Sequence, residues 1–253
     1  MLFIENSYLK DFETTIKKIE NNNINLEQTA FYAKSGGQPG DIGKLIFNEN
    51  EINIVDTIYD YEKNILHICE NAENLNIGEK IIGKINWNIR YKYMRMHSAL
   101  HLLCSIIPYD VTGGQISFEK SRLDFNAENK IEKEEIENKI NQLIQEDHEI
   151  SFQWITSEEL EEQPELVRTM SVKPPRTNNK IRLVKIGNID LQPCGGTHVK
   201  STKEIGKIKI GNVDLQPCGG THVKRTKEIG NIRIGKIENK GKMNRRVNLS
   251  ISD

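Results

Sequence analysis

Two histidines four residues apart, inside an apolar and helix-forming run, constrain this chain more than any other feature. They are His97 and His101 in the stretch RMHSALHLLC, residues 95–104. On a helix, positions i and i+4 share a face with Cβ atoms about 5–6 Å apart, a workable separation for two imidazoles on one metal ion. Alone, such a pair is more often part of a core than of a metal site. A second motif far along the chain changes the reading: CGGTH occurs twice, as Cys194/His198 and as Cys218/His222. A His-x-x-x-His with a Cys-x-x-x-His makes an N/N/S/N donor set, which suits zinc, Zn2+. Such a site requires the fold to bring a helix near residue 100 against a loop beyond residue 190.

The two CGGTH motifs belong to an internal repeat. Residues 185–208 and 209–232 match at a period of 24 and differ only at Ile189/Val213, Ser201/Arg225 and Lys207/Asn231. Two copies make no solenoid, and one metal centre needs one copy, so the near-identity reads as a tandem duplication. Either copy is a candidate for the ligands. The first is preferred because it directly follows a strand expected at 181–186, and its surplus chain leaves after the metal loop.

The rest of the chain reads as mixed α and β. Short apolar or alternating runs at 2–4, 44–47, 52–55, 65–68 and 80–87, parted by Asn, Gly and Asp, predict a β-rich N-terminal region. Many short strands with polar turns suggest a small barrel. Between them lies TAFYAKSGGQPGDIG, residues 29–43, whose glycines permit positive φ or close backbone approach. A helix is expected from about Asn88 to Pro108. A glycine turn at Gly113 and Gly114, strands at 116–118 and 122–125, and a second helix capped by Asn126 follow. Ile131, Ile136, Ile140, Leu143 and Ile144 form the apolar face of that helix. Residues 149–155 read as a strand, 157–170 as helical turns broken at Pro164, and SVKPPR, 171–176, as a stiff basic connector.

Composition narrows the classes of function. A net charge of −1 is not the footprint of a non-specific nucleic-acid binder, so any RNA contact must come from local basic patches. Residues Lys173, Arg176, Lys240, Lys242, Arg245 and Arg246 are candidates for a phosphate rim, and a solvated charged face explains them as well. No stretch resembles a transmembrane helix or a secretory signal. Four cysteines, two of them in the duplicated motif, imply no disulfide framework. The expected setting is cytoplasmic, with no membrane partner, and a monomer is expected. Cys104, one turn beyond His101, reads as a packing residue. His67 and His148 look incidental. The helix is not His-Glu-x-x-His, so the protease arrangement with its glutamate base is absent.

Taken in order, residues 29–43, MHSALHL at 96–102, SVKPPR at 171–176 and IGNIDLQPCGGTHVK at 186–200 resemble the alanyl-tRNA editing family. EIGNIRIGKIENKGKMNRR at 228–246 continues the likeness. These are the free-standing AlaX proteins, related to the editing domain of alanyl-tRNA synthetase. The resemblance implies an α+β protein: a small translation-factor-like β-barrel over 1–87 with the glycine-rich loop, then an α/β zinc-containing editing domain over 88–253. It implies a zinc-dependent deacylase that hydrolyses the ester of a wrong amino acid, chiefly serine with glycine as a second case, on mischarged alanine tRNA. His97, His101 and one Cys/His pair would hold the ion. Thr29 would sense the serine hydroxyl, and Gln38 would position substrate or water. The second CGGTH copy departs from the family pattern. A competing reading from another class is a non-catalytic RNA-binding module with a structural zinc.

Overall fold

The computed structural model describes residues 1–127, 131–170, 174, 176–177, 180–211, 238–239 and 244–251. Its contacts divide the chain into two compact units. One is Met1–Met94 with Gly196–His198; the other is Arg95–Gly195 with Val199–Asp253.

In the first unit a single helical turn, α1 (Leu2–Glu5), precedes six strands: β1 (Asp11–Glu20), β2 (Asn23–Leu26), β3 (Gly43–Phe47), β4 (Asn50–Tyr59), β5 (Ile65–Cys69) and β6 (Lys80–Ile85). They close into a barrel in the order β1-β2-β5-β4-β3-β6, every neighbouring pair antiparallel. Closure removes the exposed edges that an open sheet of this size would carry. Alternation fills the interior: Phe12, Thr14 and Ile16 of β1 and Ile81 and Ile85 of β6 are buried, with Ile24, Phe31, Leu45 and Ile54 in the same core.

The glycine-rich loop is moulded to this barrel. Gly36 and Gly37 have φ of +54° and +82°, left-handed values that residues with a Cβ rarely adopt. Gly40 lies so close to the strand beyond it that a Cβ would collide with the Thr57 backbone and the Asp56 carboxylate. A buried ion pair anchors the same loop. Arg90 donates from Nε to both carboxylate oxygens of Asp41, at 2.9 Å each, and its Nη1 reaches the Ser7 carbonyl at 3.0 Å. Its Nη2 reaches the Ala30 carbonyl at 2.5 Å, and Asp41 Oδ2 in turn accepts from the Tyr32 N–H.

Arg90 stands on α2 (Trp87–Ile106), the helix that carries both motif histidines. In the second unit follow β7 (Val111–Gln115), β8 (Lys120–Asn126), α3 (Lys133–Gln145), β9 (Ile150–Thr156), α4 (Ser157–Glu161), β10 (Arg176–Thr177), β11 (Lys180–Ile186), β12 (Asp190–Pro193), β13 (Ile208–Gly211), β14 (Glu238–Asn239) and β15 (Asn244–Ile251). One antiparallel sheet has β11 beside β10, β12 and β9. The other runs β13-β15-β8-β7, with β14 also on β15. The buried face of α3 is Ile136, Ile140, Leu143 and Ile144, and Asn141 clamps β13 by bonding both the N–H and the carbonyl of Ile208.

Several local expectations fail for identifiable reasons. Residues 2–4 form a helical turn, because three apolar residues carry no period. Strands β1 and β2 escape the sequence reading, since Thr14 occupies a core position and breaks the apolar alternation. Gly113 and Gly114 lie inside β7, where the register shifts between Val111 and Gly113, instead of forming a turn. Asn126 ends β8, and α3 starts after Glu132 without a side-chain cap.

Candidate metal centre

Helix α2 presents His97 and His101 from successive turns, with ring centroids 5.4 Å apart. The hairpin of β11 and β12, in register from Leu183 opposite Pro193 to Ile186 opposite Asp190, delivers the chain to the first CGGTH motif. The four residues His97, His101, Cys194 and His198 thereby come together. Each offers one ligand atom, and these atoms lie within 4.8 Å of one another. Cys194 Sγ is 3.5 Å from His97 Nε2. His198, His101 and Cys194 are 1%, 7% and 9% exposed, so the cluster is dry enough for electrostatics to act strongly. Cys218 and His222 lie outside the described residues, as do Lys173, Lys240 and Lys242. Arg176, Arg245 and Arg246 fall on β10 and β15.

The motif loop is pinned along its length. The Cys194 N–H donates to the Arg182 carbonyl, and Arg182 Nη1 donates to the Cys194 carbonyl at 3.2 Å. Val199 N–H reaches Ser98 Oγ, between the two helical histidines, and Arg95 Nε donates to the Ile205 carbonyl at 2.9 Å. Thr202 Oγ1 donates to the Leu143 carbonyl and accepts from the His148 N–H.

The chemistry of the donor set, three imidazoles and one thiol, fits a borderline-soft divalent metal. His101 also has an outer partner, since its Nδ1 lies 3.0 Å from Asp190 Oδ2. Burial opposes a charged His101 ring, but its hydrogen bonds to Asp190 and Cys194 outweigh that and push its pKa up to about 10. A metal bound by this ring would compete with a proton for the same nitrogen. Cys104 is buried, and burial first, then the Asp190 charge, pushes its thiol up to about 12. Its sulfur is not among the four clustered donors.

Both remaining candidates are buried in the first unit. Gln38, 1% exposed, embraces Thr197: its Nε2 donates to Thr197 Oγ1 at 2.9 Å and its Oε1 accepts from the Thr197 N–H. Gln38 therefore holds the residue immediately before His198. Thr29, 4% exposed, bonds His67 Nε2 through Oγ1 at 2.8 Å, and the same oxygen accepts from the Phe31 N–H. His67 Nδ1 is 2.9 Å from the Ile24 carbonyl, which only accepts. Nδ1 thus carries the proton, Nε2 accepts from the Thr29 hydroxyl, and one lone pair remains on Thr29 Oγ1. His67, which the sequence left as incidental, orients a candidate site residue. No local signal could have found it, because its partner lies 38 residues away.

Comparison with known proteins adds to this geometry. A family model described as the threonyl and alanyl tRNA synthetase second additional domain matches twice, at residues 181–211 and 208–248, once on each repeat copy. A model described as tRNA synthetases class II (A) matches residues 3–89. The alanyl-tRNA editing protein AlaX-M of Methanosarcina mazei is 33% identical over 266 residues, covering 100% of this chain and 96% of that protein. The chain belongs to the alanyl-tRNA editing family. AlaX-M of Saccharolobus solfataricus is 37% identical over 211 residues, spanning 81% of this chain and 89% of its own length. The alanine–tRNA ligase of Pyrococcus abyssi is 33% identical over 215 residues, only 23% of that longer protein. This AlaX family member has, among its described residues, no helix long and apolar enough to cross a membrane.

Proposed function

We propose that the protein is a trans-editing deacylase that removes serine, and secondarily glycine, from mischarged alanine tRNA, with zinc held by His97, His101, Cys194 and His198. The observation that carries this reading is the buried cluster of four donors, drawn from a helix and a loop nearly 100 residues apart, in a chain of the alanyl-tRNA editing family. In this reading residues 1–87 form the barrel domain and 88–253 the editing domain. When bound, zinc would act as a Lewis acid, polarising a carbonyl or lowering the pKa of water.

The chain's own residues account for selection. In hydrolysis, water adds to the ester carbonyl carbon, the bond to the ribose oxygen breaks, and that oxygen takes a proton. Thr29 selects the substrate: with its proton committed to His67, Oγ1 can only accept, so it suits the hydroxyl of a serine side chain. Alanine leaves that lone pair unpaired in a buried site, which is a strong basis for rejection. Gln38 fixes the motif turn through Thr197 and so fixes where His198 stands.

A second reading, an RNA-binding module with a structural metal, is favoured by the donor count, since four protein ligands fill a tetrahedral shell. Deacylation of Ser-, Gly- and Ala-tRNA decides, using the intact protein, a chelator-treated sample and the Cys194→Ala and Cys218→Ala variants. Deacylase action predicts loss on chelation with the fold retained, and loss in Cys194→Ala but not in Cys218→Ala. Unfolding on chelation, with no turnover in any sample, would instead establish the structural metal. Equal activity of the two variants would mean that the copies substitute for each other.

A further inference from the structure

Strand β12 and the residue after it alternate in a telling way. Asp190, Gln192 and Cys194 are buried while Leu191 and Pro193 are less so, as period-2 geometry demands of residues on one face. Three polar side chains on one buried face need a reason, because burying each without a partner is costly. Cys194 belongs to the donor cluster. The other two form a chain that ends on a second member of it: Gln192 Nε2 donates to Asp190 Oδ1 at 2.7 Å, and Asp190 Oδ2 faces His101 Nδ1 at 3.0 Å.

We propose that Asp190, held by Gln192, is the positioning residue that prepares His101 to bind the metal. The inference rests on the metal-centre reading above and deepens it. A carboxylate only accepts, so His101 Nδ1 carries the proton and Nε2 is the nitrogen left for the cluster. The hydrogen bond from Gln192 to Oδ1 favours the carboxylate orientation that turns Oδ2 to the ring. The carboxylate also places a negative charge one ring away from a bound cation, an attraction that a neutral amide would not supply. Strand β12 and the residue that follows it therefore supply a sulfur ligand, the group that orients a second ligand on α2, and the brace behind that group. Its spacing makes all three face the same way.

The test is zinc affinity of the metal-free protein, measured by competition with a chromophoric chelator, beside urea unfolding of the same metal-free samples. Asp190→Ala is expected to weaken zinc binding about 10–100-fold. Asp190→Asn keeps the shape but loses the charge and should fall between, with Gln192→Leu showing a smaller loss. Cobalt substitution gives an independent readout: the thiolate-to-cobalt charge-transfer band should persist in each variant while the ligand-field bands shift. A purely packing role would lower the unfolding midpoint and leave zinc affinity unchanged. Should Asp190→Ala fail to fold, the isosteric Asp190→Asn carries the test. Zinc binding by folded Asp190→Asn and Gln192→Leu at wild-type strength would overturn the proposal while sparing the metal centre. Absence of zinc binding by the wild-type protein would instead overturn the metal-centre reading itself, and this inference with it.

Discussion

Acidification offers a sharp test of the Thr29–His67 pair. His67 is fully buried, and burial lowers its pKa from 6.5 to about 4, with the hydrogen bond to the Ile24 carbonyl opposing the change only in part. In the unfolded chain the same ring titrates near its ordinary value. Between the two pKa values the unfolded state binds a proton that the folded state does not, so stability rises with pH across that window. The contribution is fully present above about pH 6.5 and is lost as pH falls towards about 4. The gap of roughly 2.5 pH units, at about 1.4 kcal/mol each, gives a loss of about 3 kcal/mol. His67→Gln cannot titrate and should lack this loss, although it is less stable near neutrality because the donor to Ile24 is gone. Urea unfolding of both proteins across the window measures the difference, and other titrating groups cancel in the comparison. Parallel stability curves for the two proteins would refute the neutral, Thr29-orienting His67.

Three further outcomes follow from the geometry. Arg90→Met strands the Asp41 carboxylate in a buried site and should cost about 3–5 kcal/mol in urea unfolding, partly recovered by adding Asp41→Asn. Gln38→Ala leaves the Thr197 N–H and hydroxyl without their partner, so stability should fall by about 1–3 kcal/mol, and deacylation should fall with kcat more than KM. Thr29→Val should lower the ratio of Ser-tRNA to Ala-tRNA deacylation by an order of magnitude or more; a ratio equal to wild type would remove Thr29 from the selection of serine.

Sequence alone determined which atoms could bind a metal and on what scaffolds. The i, i+4 spacing of His97 and His101 placed both on one helical face, and the two CGGTH motifs stood out as the strongest partner candidates. Positive φ at Gly36 and Gly37 was legible because glycine is the residue that tolerates it. The barrel was legible only in part, from its more apolar strands. Tertiary structure decided that Gln38 grips Thr197 across 159 residues and that Arg90 locks Asp41 across 49. It also decided that His67 and Asp190 stand behind Thr29 and His101. The physical reason is one of range. Periodicity and backbone preference act within a few residues and leave their mark on neighbouring letters, whereas a hydrogen bond between distant side chains exists only once packing has brought them within 3 Å.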